Sequence, residues 1–437
     1  MSSFVTEPGD QSAGGGISEY AILLFYHYYP EDRSEDSSDG SPQAIVVAEE
    51  ELVWHQNQAQ RLKIGGRIRV SEEGINGVLS GTRENLQNYA KSVEDRGRKA
   101  GWLKSCIDWK FGSMRSDLPI EEQTFEELKV EVCKEVVSLL RVQEQQKGRK
   151  GRRKGRRKKG KEKGQVGDEK GGISGDGEAG AQEQPQETPV EGQDRLSLAQ
   201  TIPNKHLNPS EWHSSLLSPD PDTVILDTRN CYESSIGFFK SASSSTPTVL
   251  SNTRKFSDLN DWWDGMKAQV SGKNVLMYCT GGVRCEVASK SLISWSRTSG
   301  ANVKSVGQLK GGICRYLEAY GEDGLYKGKN FVFDPRRFDP QVGKGVVGRC
   351  LVCKREWDDY DNGRGTKERG EARCIRCRVL VLCCSECRAE RVCFGEGEGD
   401  GKAKLFCGEG GGECVDMGNR REGWQVVEDD GDEKLNA

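Results

Sequence analysis

Asn274-Val275-Leu276-Met277-Tyr278-Cys279-Thr280-Gly281-Gly282-Val283-Arg284-Cys285-Glu286 is the stretch on which the fold of this 437-residue chain turns. Residues 274–278 are an apolar run of strand length that stops at Cys279. Residues 286–296 fit a helix, which opens at about Cys285. Between them two glycines let the backbone curl, so that successive N–H groups point inward as an anion nest. The helix N-terminus faces the same loop, and Arg284 adds a positive charge. All three effects lower a thiol pKa, and the thiolate is the nucleophile. A buried structural cysteine beside a glycine turn is the plainer reading. Cys, Gly-Gly and Arg at strand-to-helix spacing weigh against it.

The flanks repeat the alternation. Residues 223–226 read as a buried strand running into Asp227, and 303–306 as a third strand ending at Leu309-Lys310-Gly311-Gly312 before a helix from Ile313. Leu207-Asn208-Pro209-Ser210-Glu211-Trp212 reads as a helix start capped by Ser210. Strands alternating with helices over 205–330 predict a parallel, doubly wound α/β sheet. Such sheets bind ligands at the carboxyl ends of strands, where Asp227 and Cys279 both sit. Asp227 and Arg229 are either supports of the loop or a strand-end ion pair; Glu233 is a weaker candidate of the same kind. Cys285 either resolves an oxidised or persulfidated Cys279 or packs in the first helical turn. Cys231 and Cys314 lack such context.

Further out, the N-terminal part reads β-α-β-β-α-β: strands at 17–29, 67–70, 75–79, 108–114 and 128–140, and helices at 42–63 and 82–93. Pro30 stops the first strand, Gly65-Gly66 break the first helix and Thr82 caps the second. That order predicts a ferredoxin-like (acylphosphatase-like) domain at 17–141. Gly74 and Gly77 read as a hairpin needing positive φ. Arg67 and Arg69 share a strand face and read by default as solvated, with phosphate contact as the alternative. The class is therefore a multidomain α/β and α+β protein.

Residues 331–393 are rich in Gly and Cys and poor in apolar residues, so this module needs a staple. Cys350-x2-Cys353 and Cys374-x2-Cys377 stand twenty residues apart, followed by Cys383, Cys384 and Cys387, with Cys393 nearby. Paired CxxC knuckles predict structural zinc, with Cys350, Cys353, Cys374, Cys377, Cys384 and Cys387 as candidate ligands. Spacing leaves their pairing open, and metal binding would supply the folding energy of such a module. All four histidines lie at or before residue 213, so thiolates must carry the site.

Composition bounds the rest. Hydrophobic residues are 34% and charged residues 30%. The net charge of −4 is a cancellation: 147–164 holds twelve Lys/Arg and one acid, a local +11, and the remainder sums to −15. Residues 1–16, the stretch 142–196 of the low-complexity charged linker 142–204, and the Gly/acidic tail 394–437 are expected to be disordered. The run 147–164 is expected to be a dispensable, sequence-blind contact for RNA phosphates or for an import receptor; it lacks the aromatics that stack bases. The N-terminus has no secretory signal pattern. The longest apolar stretch, 20–29, is half the ~20 residues that span a bilayer. A cytoplasmic location follows, with the nucleus as alternative and no membrane partner. There thiols stay reduced.

CTGGVR (279–284) resembles the active-site loop of rhodanese domains, which carry a cysteine persulfide; cysteine phosphatases use a loop one residue longer. ILDTRNCYE (225–233), IGFF (236–239) and QLKGGICRYLE (308–318) resemble rhodanese positions too. With GRIRVSEEGINGVLSGT (66–82) and a Cys-rich tail containing CCSEC, the chain resembles the rhodanese-containing tRNA uridine hydroxylase family over about 17–140 and 205–390. The charged insertion is that of a eukaryotic-type member. The resemblance implies 5-hydroxyuridine formation at the tRNA wobble position, with tRNA as partner and dioxygen as co-substrate. It makes Cys279 and Arg284 catalytic, Thr280, Gly281, Gly282 and Val283 the active loop, and Asp227, Arg229 and Cys285 supporting. No flavin or nucleotide motif is present. Two alternatives stand: a thiosulfate sulfurtransferase or persulfide carrier using Cys279 and a sulfur donor, and a non-enzymatic zinc/RNA-binding scaffold.

Overall fold

The computed structural model describes residues 19–30, 48–139, 202–360, 372–374, 377–389 and 424–426. The expectations for 1–16, for the charged run 147–164 with most of its linker, and for Cys393 fall outside the described residues.

The N-terminal sheet holds β1 (Tyr20–Tyr28), β2 (Gly65–Ser71), β3 (Gly74–Thr82), β4 (Lys110–Gly112) and β5 (Leu128–Val132) in the order β4-β1-β3-β2-β5. Helices α1 (Ala48–Arg61) and α2 (Arg83–Lys99) complete the layer. Strand alternation divides the residues between two faces. Leu23, Phe25, Ile68, Val70, Ile75 and Leu79 are buried in one core with Leu86, Tyr89 and Val93 of α2. The opposite face carries the cross-strand rows Leu24–Val78–Arg67 and Tyr26–Asn76–Arg69. Thr82 caps α2, accepting a hydrogen bond from the Asn85 amide at 3.3 Å. The glycines at 65 and 66 do not break α1, which has ended at Arg61; they open β2, where a side chain on Gly65 would strike the Phe125 carbonyl.

The second sheet runs β13-β9-β7-β10-β11-β6. Its members are β6 (Asn204–Leu207), β7 (Thr223–Asp227), β9 (Thr248–Ser251), β10 (Asn274–Tyr278), β11 (Ser305–Leu309) and β13 (Trp424–Val426). All its pairings are parallel except β13 on β9, and β13 lies within the tail expected to be disordered. Helices α3 (Pro209–Leu217), α4 (Val283–Ser299) and α5 (Gly312–Tyr320) cover it, and β8 (Gly237–Phe239) pairs with β12 (Tyr326–Gly328) beside it. Val224, Leu226, Val275 and Met277 face one core with Leu292 and Trp263. Ile225, Leu276 and Tyr278 face the other with Trp212, Ile313 and Tyr316. Burial on both faces is why these strands read as unbroken apolar runs. The cap of α3 is Asn208, not Ser210: Asn208 accepts from the Ser210 and Glu211 amides, and Pro209, which has no N–H to satisfy, takes the first helical position.

The two sheets belong to one compact unit. Val136, Val137 and Leu139, beyond β5, are buried in the same core as Val224 and Val275. Arg315 of α5 grips Asp108 at 2.7 Å, and Arg336 donates to the Ser113 carbonyl at 2.7 Å. Cys350, Cys374, Val379, Val381, Cys383, Cys384 and Cys387 form a separate, cysteine-lined cluster, the last of them in α6 (Ser385–Ala389). No helix among the described residues is long and apolar enough to cross a membrane.

Candidate active site and cysteine cluster

Cys279 follows β10 directly and is fully buried. The Gly282 amide donates to its Sγ at 3.1 Å. Gly282 stands at φ 100°, in the left-handed region, as the residue before α4. Burial alone would raise the Cys279 pKa. The Cys285 thiol, the Arg284 charge and the backbone N–H groups of Cys285 and Arg284 more than reverse this, bringing it from 9.0 to about 6. The Cys285 thiol is correspondingly pushed up, by burial first and then by its hydrogen bond to Cys279. The two shifts point the same way: of the pair, Cys279 is the group whose anion the loop favours.

Arg284 is not a free charge beside the sulfur. It forms a two-pronged ion pair with Glu233, Nη1–Oε1 2.7 Å and Nη2–Oε2 2.8 Å, and donates to Thr280 Oγ1 at 3.0 Å. Glu233 is fully buried and is the residue that sequence reasoning undervalued. Its own turn hides it: Asn230 and Glu233 have capping-box spacing, and Glu233 Oε1 does accept from the Asn230 amide at 3.0 Å. The same carboxylate fixes Arg284 over the loop.

Asp227 and Arg229 form the strand-end ion pair. Arg229 Nη2 meets Asp227 Oδ2 at 2.7 Å, both fully buried. Arg229 also donates to the Gly237 carbonyl, and Asp227 accepts from the Tyr278 hydroxyl at 2.8 Å and Ser234 at 3.0 Å. This network ties the residue before Cys279 to the turn that carries Glu233. Behind the loop, the Ile313 and Cys314 amides at the start of α5 donate to the carbonyls of Cys279 and Thr280 at 3.0 and 3.1 Å. Gly312, at φ 66°, allows that approach; a Cβ there would lie 2.6 Å from the Cys279 carbonyl oxygen.

β1 of the first sheet sits on the loop. A Cβ on Gly281 would meet Leu24 at 2.9 Å, and one on Gly282 would meet the Tyr26 hydroxyl at 2.9 Å. Tyr26 reaches Glu286 at 3.4 Å, and His206 holds the same Glu286 oxygen at 2.8 Å. Between the open sheet face and the loop lies a cavity of about 400 Å³, with Arg67, Asn76, Lys110, Thr280, Arg284 and Phe333 in its wall.

Two family models match this chain. Residues 20–136 match the UPF0176 acylphosphatase-like domain, and residues 327–396 match the rhodanese C-terminal region. A protein of Corynebacterium jeikeium named tRNA uridine(34) hydroxylase is 26% identical over 378 residues, 86% of this chain and 91% of its own length. A protein of the same name from Chlamydia trachomatis is 28% identical over 379 residues, 85% of this chain and 83% of its own. The chain resembles the tRNA uridine(34) hydroxylase family. Rhodanese-like domain-containing protein 6 of Arabidopsis thaliana is 30% identical over 396 residues, 87% of this chain; the match spans only 54% of that longer protein.

The rhodanese C-terminal match contains the cysteine cluster. The sulfur atoms of Cys350, Cys353, Cys384 and Cys387 lie within 4.8 Å of one another, and Cys353 and Cys384 are 3.7 Å apart. A tetrahedral ion with ~2.3 Å metal–sulfur bonds spaces its sulfurs by about 3.8 Å. The donor set therefore fits a closed four-thiolate metal site. Four adjacent thiols ionise together only around a cation, and the Cys384 amide already donates to Cys350 Sγ at 3.3 Å. Cys374 and Cys377 stand outside this set, yet the backbone bonds that flank them repeat those of the first knuckle. Cys350 N bonds Arg355 O as Cys374 N bonds Val379 O, and Lys354 and Arg378 share φ values of 63° and 65°.

Proposed function

We propose that this chain is a tRNA-modifying enzyme that forms 5-hydroxyuridine at the wobble position, with dioxygen as co-substrate and Cys279 as the reactive thiol. The observation that carries the reading is a buried Cys279 sulfur that accepts from the Gly282 amide at 3.1 Å, in a loop whose Thr280, Gly281, Val283 and Arg284 line a cavity sized for one small ligand. The similarity to proteins named tRNA uridine(34) hydroxylase supplies the substrate class. Arg284, anchored by Glu233, holds the loop in the conformation that points its amides at the sulfur. Zinc bound by Cys350, Cys353, Cys384 and Cys387 staples the C-terminal module and takes no part in the chemistry. The test is mass spectrometry of tRNA nucleosides from cells lacking this activity. Wild-type chain should restore 5-hydroxyuridine and Cys279→Ser should not; full restoration by Cys279→Ser would sink the reading.

A second reading is a persulfide carrier. It is favoured by what touches Cys279: amides and a thiol, which suit a stored anionic sulfur, instead of a histidine or carboxylate base. Thiocyanate formation from thiosulfate and cyanide, with tRNA nucleosides unchanged, would select this reading over the first.

A further inference from the structure

We propose that the cavity between the first sheet and the Cys279 loop receives one everted nucleotide of a single-stranded RNA loop, its base stacked on Phe333 and its phosphate on Arg67. This rests on the RNA-modifying reading above and adds how the RNA is held.

Size selects a single nucleotide. About 400 Å³ lies at the small end of the ~300–1,000 Å³ typical of small-ligand pockets, and a duplex cannot enter it. Enzymes that act on a base take it out of its stack, and proteins that read single-stranded RNA loops stack the freed base on an aromatic ring. Phe333 offers that ring. It is 45% exposed, while the neighbouring Phe331 is buried and the rest of the wall mixes aliphatic and aromatic side chains such as Leu24, Val78 and Phe111 with the polar ones. Its position is set from the side by Phe331, 5.3 Å between centroids at 77°, and by the Arg284 guanidinium at 5.6 Å. A stacked base would therefore lie beside the residue that anchors the Cys279 loop.

Charge selects the phosphate contact. Four cations of the wall are already engaged: Arg69 with Cys133, Ser138 and the Glu135 carbonyl, Lys110 with Asp108, Arg284 with Glu233, and Arg336 with Asp334. Arg67 differs. It is exposed and lies over the Phe125 ring at 5.5 Å, with no carboxylate in ion-pair contact among the described residues. One row along the same face, Asn76 presents a carboxamide whose donor and acceptor can pair with the imide edge of a base. An ion-pair-free arginine, an exposed aromatic ring and a carboxamide around one nucleotide-sized space match the chemistry of an unpaired nucleotide.

The test uses the full chain carrying Cys279→Ser, so that binding is read without turnover. It is titrated against a hairpin RNA with uridine at one loop position and against the same hairpin abasic there. The uridine hairpin should bind about tenfold tighter. Phe333→Leu should erase that difference while leaving abasic binding unchanged, and Phe333→Tyr should keep it. Arg67→Gln should weaken both hairpins equally and reduce the salt slope by about 0.7 to 1. Equal binding of the two hairpins, or a difference that survives Phe333→Leu, overturns the stacking site; an unchanged salt slope overturns the phosphate contact. Nucleoside analysis of tRNA from cells expressing the active chain separates the two proposals. Uridine-dependent binding without 5-hydroxyuridine refutes the catalytic reading alone. Full modification by active Phe333→Leu refutes the pocket alone.

Discussion

Replacing Cys285 by alanine should make Cys279 a weaker acid while leaving its loop in place. Among the groups that lower the Cys279 pKa to about 6, the Cys285 thiol is the largest, ahead of Arg284 and the backbone amides. A hydrogen bond to a charged group is worth roughly 1.5–3 kcal/mol, and 1.36 kcal/mol is about one pKa unit. A thiol is a weak donor, so the lower end applies. Cys279 in Cys285→Ala should then titrate about one unit higher, near 7. Cys285→Ser retains a donor and should stay closer to the parent. The assay is alkylation of Cys279 by iodoacetamide, followed by mass spectrometry across a pH series and read as the midpoint of the rate profile. Burial slows the absolute rate in all three proteins, but the midpoint reports the thiolate fraction. A midpoint in Cys285→Ala that coincides with the parent would falsify the idea that the thiol pair sets the acidity. The amides and Arg284 would then have to account for it.

The same shift has a thermodynamic face. The folded-state pKa of Cys279 is depressed from 9.0 to about 6, so between those values the unfolded chain holds a proton that the folded chain lacks. Stability from this group therefore grows as pH rises from about 6 to about 9, by at most about 4 kcal/mol, and is lost as pH falls through 6. Cys285, raised in the fold, acts oppositely above its ordinary range. Urea melts over this range should show the rise in the parent and a flatter profile in Cys279→Ser. Asp227→Asn should cost about 3–5 kcal/mol, because it leaves the Arg229 charge buried without its carboxylate; calorimetry showing a wild-type melting temperature would contradict that role. Purified chain should carry a divalent metal that Cys353→Ser or Cys387→Ser loses, read by elemental analysis; metal content unchanged in both would place the ion elsewhere.

The Cys279 loop was legible because its parts are consecutive: a strand, a glycine turn and a helix start within thirteen residues put the amides and the thiol together with no help from the rest of the chain. What escaped was everything supplied from a distance. The expectation that Arg284 acts as a spare charge could not anticipate Glu233, fifty-one positions earlier, as its partner. The cysteine knuckles followed the same rule. The backbone just after each CxxC is locally encoded, down to the positive φ of Lys354 and Arg378. Which knuckles share an ion is topological, and the structure joins Cys350 and Cys353 to Cys384 and Cys387 past the intervening pair. Asn230 and Glu233 show how a correct local pattern can conceal a second use, since a satisfied capping box gives no reason to look further.

The glycine pair 281–282 shows why the two halves of the molecule belong to one site. Read from the loop alone, these residues are small so that amides can turn toward the sulfur. In the fold they are also small because Leu24 and Tyr26 of β1 occupy the space a side chain would take. Covering the loop in this way has opposed effects on Cys279. It strips water from the thiol, which raises the pKa, and it lowers the local polarisability in which the amides and Cys285 act, which strengthens each of them. The net result is a Cys279 thiol whose pKa is held below the usual thiol range where bulk solvent does not reach it. An exposed nest would hold the anion less firmly, and a covered cysteine without the nest would remain a thiol. The first sheet is therefore part of what sets the environment of Cys279, and its open face forms one wall of the cavity beside the loop.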